Sequence, residues 1–114
     1  MLFTGAAAAL IALASAASGC LQGEWASIVE QTEVLILRRE ALRVPHGPAG
    51  EKQENVCVRV RFQIDQNGVP QDVRIDQSSR NRSVDVAARE TVRKFRFKVP
   101  RNDQAPSALV FEYP

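Results

Sequence analysis

The segment from Val58 to Ile75, VRVRFQIDQNGVPQDVRI, constrains the fold more than any other part of the sequence. Apolar and polar residues alternate from Val56 to Asp65, and this period of two is typical of a strand with one buried face. Asn67-Gly68 then offers the positive φ angles that a tight hairpin turn requires. Because apolar residues resume after the turn, the segment predicts two antiparallel strands joined by a hairpin.

The alternation also assigns the strand side chains to faces. The residues predicted to be buried on the first strand are Val56, Val58, Val60, Phe62 and Ile64, and those on its opposite face are Cys57, Arg59, Arg61, Gln63 and Asp65. The return strand adds Val69, Val73 and Ile75 to the buried face. Since Pro70 has no N–H to donate to a ladder, we expect it at an edge position or a bulge.

A helix is predicted before the hairpin, over Glu24 to Val44. Its apolar residues recur at helical spacing and are Trp25, Ile28, Val29, Thr32, Leu35 and Ile36. Early glutamates and late arginines suit the helix dipole. The run Val34–Leu37 has a second interpretation, a short buried strand.

A second helix is predicted from about Val84, after the hairpin. Ser83 is the expected N-cap, and Asp85 favours the positive end of the helix. Its apolar stripe is Val84, Ala87, Ala88, Val92 and Phe95. Alternation in Ala108–Tyr113 predicts a final strand.

The predicted order of elements is α-β-β-α-β. This order favours an α+β two-layer sandwich, in which two helices cover one face of a three-stranded antiparallel sheet. The 114 residues suit one such domain. We expect a signal peptide over 1–19, a helix and loop over 20–55, and the sheet domain over 56–114.

The first twenty residues, MLFTGAAAALIALASAASGC, carry no charge and contain an apolar core from Ala6 to Ala14. That length is typical of a signal peptide. The end of the segment, Ala17 to Cys20, resembles a bacterial lipobox. This resemblance predicts lipidation of Cys20, attachment to a membrane through the lipid anchor, and an outer-membrane location because Leu21 follows. The alternatives are plain secretion into the periplasm and an uncleaved N-terminal anchor.

The second cysteine, Cys57, depends on the state of the first. If Cys20 is lipidated, Cys57 is an unpaired, half-buried residue near the start of a strand. If Cys20 keeps its thiol in an oxidising periplasm, a Cys20–Cys57 disulfide is the alternative.

Few residue types here are suited to chemistry. The chain has two cysteines and one histidine, His46, which lies in the Pro/Gly-rich loop VPHGPAG. There is no metal-ligand spacing and no paired nucleophile and base, so we expect no enzyme activity, metal or cofactor. The charge alone would allow nucleic acid as a partner, but the export signal argues against it.

A basic set lies on and after the second predicted helix. It consists of Arg89, Arg93, Lys94, Arg96 and Lys98, followed by Arg101. One interpretation is a patch that binds anionic lipid or peptidoglycan. The other is a solvated helix face whose cations suit the helix C-terminus.

Three pieces in order, VRVRFQIDQNGVPQDVRIDQSS, VDVAARETVRKFRF and LVFEY, resemble the C-terminal domain of TonB-family proteins. The resemblance covers Val56 to Tyr113. It departs from the family pattern at Arg80, where a glycine usually follows Ser-Ser, and at Phe95, where tryptophan is common.

The resemblance implies a periplasmic protein-binding module that contributes to TonB-dependent transport across the outer membrane. Its partner would be an outer-membrane receptor or another envelope protein, which adds an extended segment to a sheet edge. The candidate edge is the last strand, formed by Leu109, Val110, Phe111, Glu112 and Tyr113. Only its backbone is the expected site, because Leu109, Phe111 and Tyr113 suit the core.

A second interpretation follows from the stretch between Cys20 and Val56, which lacks the Pro-rich linker of energy transducers. It is a structural or adaptor envelope lipoprotein that keeps the fold without transducing energy. The sequence does not predict an oligomeric state.

Overall fold

The computed structural model describes residues 18–45, 56–102 and 105–113. Most of the predicted signal peptide and the loop that contains His46 lie outside these residues. The elements in chain order are a 3₁₀ turn at Ser18–Leu21, α1 at Glu24–Glu33, β1 at Ile36–Arg38, β2 at Val56–Ile64, β3 at Pro70–Gln77, α2 at Arg82–Arg93, β4 at Arg96–Phe97 and β5 at Ser107–Tyr113. Within the described ranges, no helix is long and apolar enough to cross a membrane.

The main sheet has the strand order β3-β2-β5, and both neighbouring pairs are antiparallel. This arrangement confirms the predicted α+β fold with a three-stranded antiparallel sheet and two helices. A second sheet, in which β1 pairs with β4, was not predicted.

The core lies between α2 and one face of the sheet. Its buried members are Val58, Val60, Phe62, Ile64, Val84, Ala88, Val92, Phe95, Phe97 and Leu109. The β2 residues are those that the alternation predicted, and the α2 residues belong to the predicted stripe. Phe95 is 1% exposed, and its ring lies 5.9 Å from that of Phe97 and 6.2 Å from that of Phe111.

The first helix ends at Glu33, so its prediction as far as Val44 is wrong beyond that residue. The alternative, a short strand, is closer to the structure, because β1 begins at Ile36. Ile36 is paired with Phe97, and the Lys98 N–H donates to the Leu35 carbonyl at 2.8 Å. The partner strand lies far along the chain, so local periodicity did not reveal this pairing.

The helix α1 packs against β5 rather than beside α2 on the core face. Its Trp25 ring lies 4.2 Å from the guanidinium carbon of Arg59. Arg59 alternates with the buried Val58 and Val60, so it points to the opposite face of the sheet. The structure therefore differs from the predicted arrangement with both helices on one face, and the start of α1 reaches the polar face.

The hairpin turn between β2 and β3 is longer than a two-residue turn. Asp65 and Val69 close it, because the Asp65 N–H donates to the Val69 carbonyl at 3.0 Å. Of the Asn67-Gly68 pair, only Gly68 has a positive φ, at 78°. A Cβ at Gly68 would also overlap the Phe97 carbonyl oxygen. Glycine is therefore required here both by the backbone angle and by the neighbouring strand.

The helix α2 begins two residues earlier than predicted, at Arg82 rather than near Val84. Its N-cap is Asn81 and not Ser83, since the Asn81 side chain accepts from the Val84 N–H at 3.2 Å. Asp85 lies in the first turn, as predicted, and it accepts from the Ser79 N–H at 2.9 Å. The paired serines before α2 thus hold the start of the helix through Asp85.

Candidate functional site: the β5 edge

The strand β5 forms one edge of the main sheet, because its strand partner within the described residues is β2 alone. The two strands pair in unbroken register from Val56 opposite Tyr113 to Phe62 opposite Ser107. A straight ladder of this kind leaves the outer side of β5 with regularly spaced backbone groups.

Alternation along β5 decides which backbone groups point outward. In an antiparallel pair, every second residue directs its N–H and C=O away from the partner strand. The Ala108 N–H donates to a side chain of α1 instead of to β2. Ala108, Val110 and Glu112 are therefore the outward-facing residues, and Ser107, Leu109 and Phe111 face β2.

The helix α1 already occupies the first of these outward positions. Thr32 is 2% exposed, and its Oγ1 accepts from the Ala108 N–H at 3.1 Å. The same hydroxyl donates to the Ile28 carbonyl at 2.8 Å. No hydrogen bond joins the outward groups of Val110 or Glu112 to another residue within 18–45, 56–102 and 105–113.

The β5 side chains divide as the alternation predicts. Leu109 is buried, and Phe111 and Tyr113 are half-buried against the core. Val110 and Glu112 lie on the polar face, where Val110 is half-buried and Glu112 is exposed. The packing of Leu109, Phe111 and Tyr113 matches the expectation that these side chains belong to the core, which leaves the backbone as the candidate site.

The opposite edge, β3, is irregular. Its pairing with β2 shifts register twice, between Arg59 and Val60 and between Arg61 and Gln63. Asp72 lies at the second shift with a φ of 56°, an uncommon angle for a residue with a side chain. Bulges and charged side chains hinder the pairing of another strand. Of the two edges, β5 is therefore the one suited to strand addition.

A polar cluster joins the N-terminal 3₁₀ turn to the polar face of the sheet. Arg59 is 7% exposed and forms an ion pair with Asp76 at 2.6 Å. Its guanidinium also donates to the Cys20 carbonyl at 2.9 Å. The sequence assigned Arg59 to the polar face but did not indicate these partners, because they come from two other elements, β3 and the N-terminal 3₁₀ turn.

Cys20 and Cys57 form a disulfide, with their Cα atoms 6.4 Å apart. This is the alternative to a lipidated Cys20 with an unpaired Cys57. A thioether-linked lipid needs the same sulfur atom, so the two states exclude each other in one molecule. Lipidation of Cys20 stays a prediction, which the mass of the mature N-terminus would test.

The basic set is spread over the end of α2 and over β4. Arg93 forms an ion pair with Glu90 at 2.6 Å, and Arg96 donates to the Arg93 carbonyl at 2.9 Å. Arg96 thus contacts the helix C-terminus, a favourable place for a cation. Lys94 and Lys98 are exposed and Arg89 is half-buried. Binding of an anionic partner by this set stays a prediction.

In the part of the chain that the structure describes, no cluster of three or more His, Cys, Asp or Glu residues could hold a metal ion.

The chain matches a known protein family. Residues 48–114, more than half of the chain, match the sequence model of the family described as Gram-negative bacterial TonB protein C-terminal. No curated protein and no solved structure matches the chain. The matched range contains β2, β3, α2, β4 and β5, whereas α1 and β1 precede it.

Proposed function

Because the chain belongs to the family of Gram-negative TonB C-terminal domains, we propose that it binds an extended segment of an outer-membrane receptor along β5. The family consists of periplasmic protein-interaction domains linked to TonB-dependent transport, and its members are not enzymes. The finer assignment, a receptor segment at this edge, is the part that we propose.

The observation that carries the proposal is the contrast between the two sheet edges. On β5, Val110 and Glu112 direct backbone groups outward from a straight ladder. On β3, two register shifts and charged side chains interrupt the edge. Strand addition uses main-chain hydrogen bonds for affinity, so it requires a regular edge.

Neighbouring side chains would supply selection for one segment over another. A segment that pairs with β5 directs alternate side chains to the two sheet faces. On the core face they meet the half-buried Phe111 and Tyr113, and on the polar face they meet Val110 and Glu112. We therefore expect a preference for segments that are apolar on one face and polar or basic on the other.

The disulfide supports a location in the cell envelope. Disulfides persist in oxidising compartments such as the bacterial periplasm and are rare in the cytosol. The pairing of Cys20 with Cys57 agrees with the periplasmic side of the envelope, where the family resides. Outer-membrane attachment through a lipid is a separate prediction.

The test is a proline substitution at an outward position of β5. Glu112→Pro removes an N–H that points away from β2, and proline is tolerated at such edge positions. Glu112→Ala is the matched control, since it removes the carboxylate and keeps the N–H. The probes are peptides that copy periplasm-facing segments of the outer-membrane receptors of the same organism, titrated while backbone amide shifts are recorded.

We expect at least one peptide to shift the amides of Leu109 to Tyr113. Glu112→Pro should weaken that binding by about tenfold, because a donor is lost and the ring obstructs the edge. Glu112→Ala loses only the exposed carboxylate and should weaken binding by about twofold. Equal affinities of Glu112→Pro and Glu112→Ala, or shifts confined to another surface, would contradict the proposal. If no receptor peptide binds, the adaptor interpretation becomes the better one.

A further inference from the structure

The helix α1 precedes residue 48, where the family match begins, yet it packs on the edge strand of the matched domain. We propose that α1 is a disulfide-held cover, which limits a partner segment to the Val110–Tyr113 half of β5. When α1 moves away, the edge opens as far as Ser107. This inference rests on the proposed function, since it concerns the access of a partner to the same strand.

The first support is the contact at Ala108. The Thr32 hydroxyl accepts a hydrogen bond from the Ala108 N–H, which would otherwise be free to donate to an added strand. Thr32 and Ala108 are both buried, at 2% and 0% exposed. A partner strand cannot pair at Ala108 while this hydrogen bond exists, because a backbone N–H in a ladder points at one acceptor.

The second support is the way in which α1 is held. The 3₁₀ turn just before α1 contains Cys20, which is covalently joined to Cys57 of β2. Arg59 adds two contacts, a hydrogen bond to the Cys20 carbonyl and a cation–π contact with Trp25 of α1. The disulfide and the Arg59 contacts lie at the N-terminal end of α1. The hydrogen bond between Thr32 and Ala108, which covers the edge, lies near its C-terminal end.

The position of α1 therefore determines how many residues of β5 can pair with a partner strand. With α1 in place, the outward-facing residues that carry no hydrogen bond within the described chain are Val110 and Glu112. Displacement of α1 adds Ala108 to them. The pairing length then grows from four residues to the seven of β5, from about 14 Å to about 24 Å at the usual rise of a strand.

Two variants of the full-length chain each remove a different interaction that holds α1 on β5. Thr32→Val keeps the shape of the buried side chain and removes the acceptor for Ala108. Cys20→Ser with Cys57→Ser removes the covalent attachment. Ser27→Ala is the control, because Ser27 is exposed on the same helix and its side chain bonds to Gln31.

The first measurement is amide hydrogen exchange without any partner. In Thr32→Val the Ala108 amide should exchange about tenfold faster, because it has lost its acceptor. The Leu109 and Phe111 amides, which are bonded to β2, should keep their protection in Thr32→Val, whereas loss of the disulfide lowers the protection of every β5 amide together with the global stability. Unchanged protection at Ala108 in Thr32→Val, or equal loss along all of β5 in that variant, would overturn the proposal.

The second measurement is the titration with receptor peptides described above. In the parent chain the shifts should lie within Val110 to Tyr113, and in both loosened variants they should extend to Ser107 with about tenfold tighter binding. Identical footprints and affinities would overturn the proposal. If no peptide binds any variant, the proposed function fails, while the exchange data still decide whether α1 covers the edge.

Discussion

At the scale of single residues, Arg80 shows how a departure from a family pattern is explained by a backbone angle. The family usually has glycine after Ser-Ser, and here Arg80 has a φ of 66°. This left-handed conformation costs a residue with a Cβ roughly 1–2 kcal/mol, whereas glycine adopts it without that cost. The sequence identified the position as unusual, and the structure supplies the reason.

Replacement of Arg80 by glycine should therefore stabilise the protein. We expect Arg80→Gly to raise the free energy of unfolding by roughly 0.5–1 kcal/mol, because the strain that it relieves exceeds the added flexibility of the unfolded chain. Urea denaturation measures the change. Arg80→Ala is the control, since it removes the charge and keeps the Cβ, so a similar gain in both variants would contradict the explanation.

At the scale of elements, the β2–β3 hairpin is organised by one carboxylate. Asp65 Oδ1 accepts from the Val69 N–H at 2.9 Å and from the Asn67 N–H at 2.8 Å, and Oδ2 accepts from Gln71 at 3.0 Å. The Val69 N–H is the largest cause of the lowered pKa of Asp65, which lies below its ordinary 3.8. The Asn67-Gly68 pair predicted the turn, but the hydrogen bonds of the turn converge on Asp65, two residues before that pair.

This lowered pKa predicts a pH dependence of stability with a definite sign. The folded protein holds Asp65 ionised to a lower pH than the unfolded chain does, so the carboxylate stabilises the fold above pH 3.8. That contribution is lost as the pH falls from 3.8 through the folded pKa. In Asp65→Asn, thermal melts between pH 2 and pH 5 (about the window where aspartate titrates) should depend less steeply on pH. An unchanged slope would show that Asp65 does not contribute.

The two edges of the sheet show where element-level prediction succeeded. Alternation over Ala108–Tyr113 predicted β5 and the packing of Leu109, Phe111 and Tyr113, because a period of two is a local property. The same rule placed Val73 and Ile75 on the face where they pack against the core, but it could not locate the bulges in β3. Bulges depend on how two strands are matched, and one strand does not encode that match alone.

At the scale of the whole molecule, the disulfide joins an N-terminal turn to the middle of the chain. Cys20 and Cys57 are 37 residues apart in sequence, and the bond between them restricts the unfolded chain. In the chain-entropy account, a loop of this length contributes about 4 kcal/mol of stability. The small core of a domain of this size makes that contribution a large share of the total.

Loss of the disulfide should therefore lower the stability of the whole domain. We expect Cys20→Ser with Cys57→Ser to reduce the free energy of unfolding by about 2–4 kcal/mol, measured by urea denaturation. Dithiothreitol should lower the stability of the parent chain by a similar amount and leave the double variant unchanged. A parent chain that does not respond to the reductant would contradict the expected contribution.

The sequence by itself determined the hairpin strands, the second helix, the last strand and the face that each buries. Each of these depends on spacing within a short segment, which local periodicity records. The tertiary structure alone decided the end of α1, the pairing of β1 with β4, and the position of α1 on the edge strand. The Thr32–Ala108 hydrogen bond joins residues 76 positions apart, and no short-range pattern specifies such a partner. Contacts of this kind arise only when the chain has closed on itself, and here they determine how much of the candidate site is accessible.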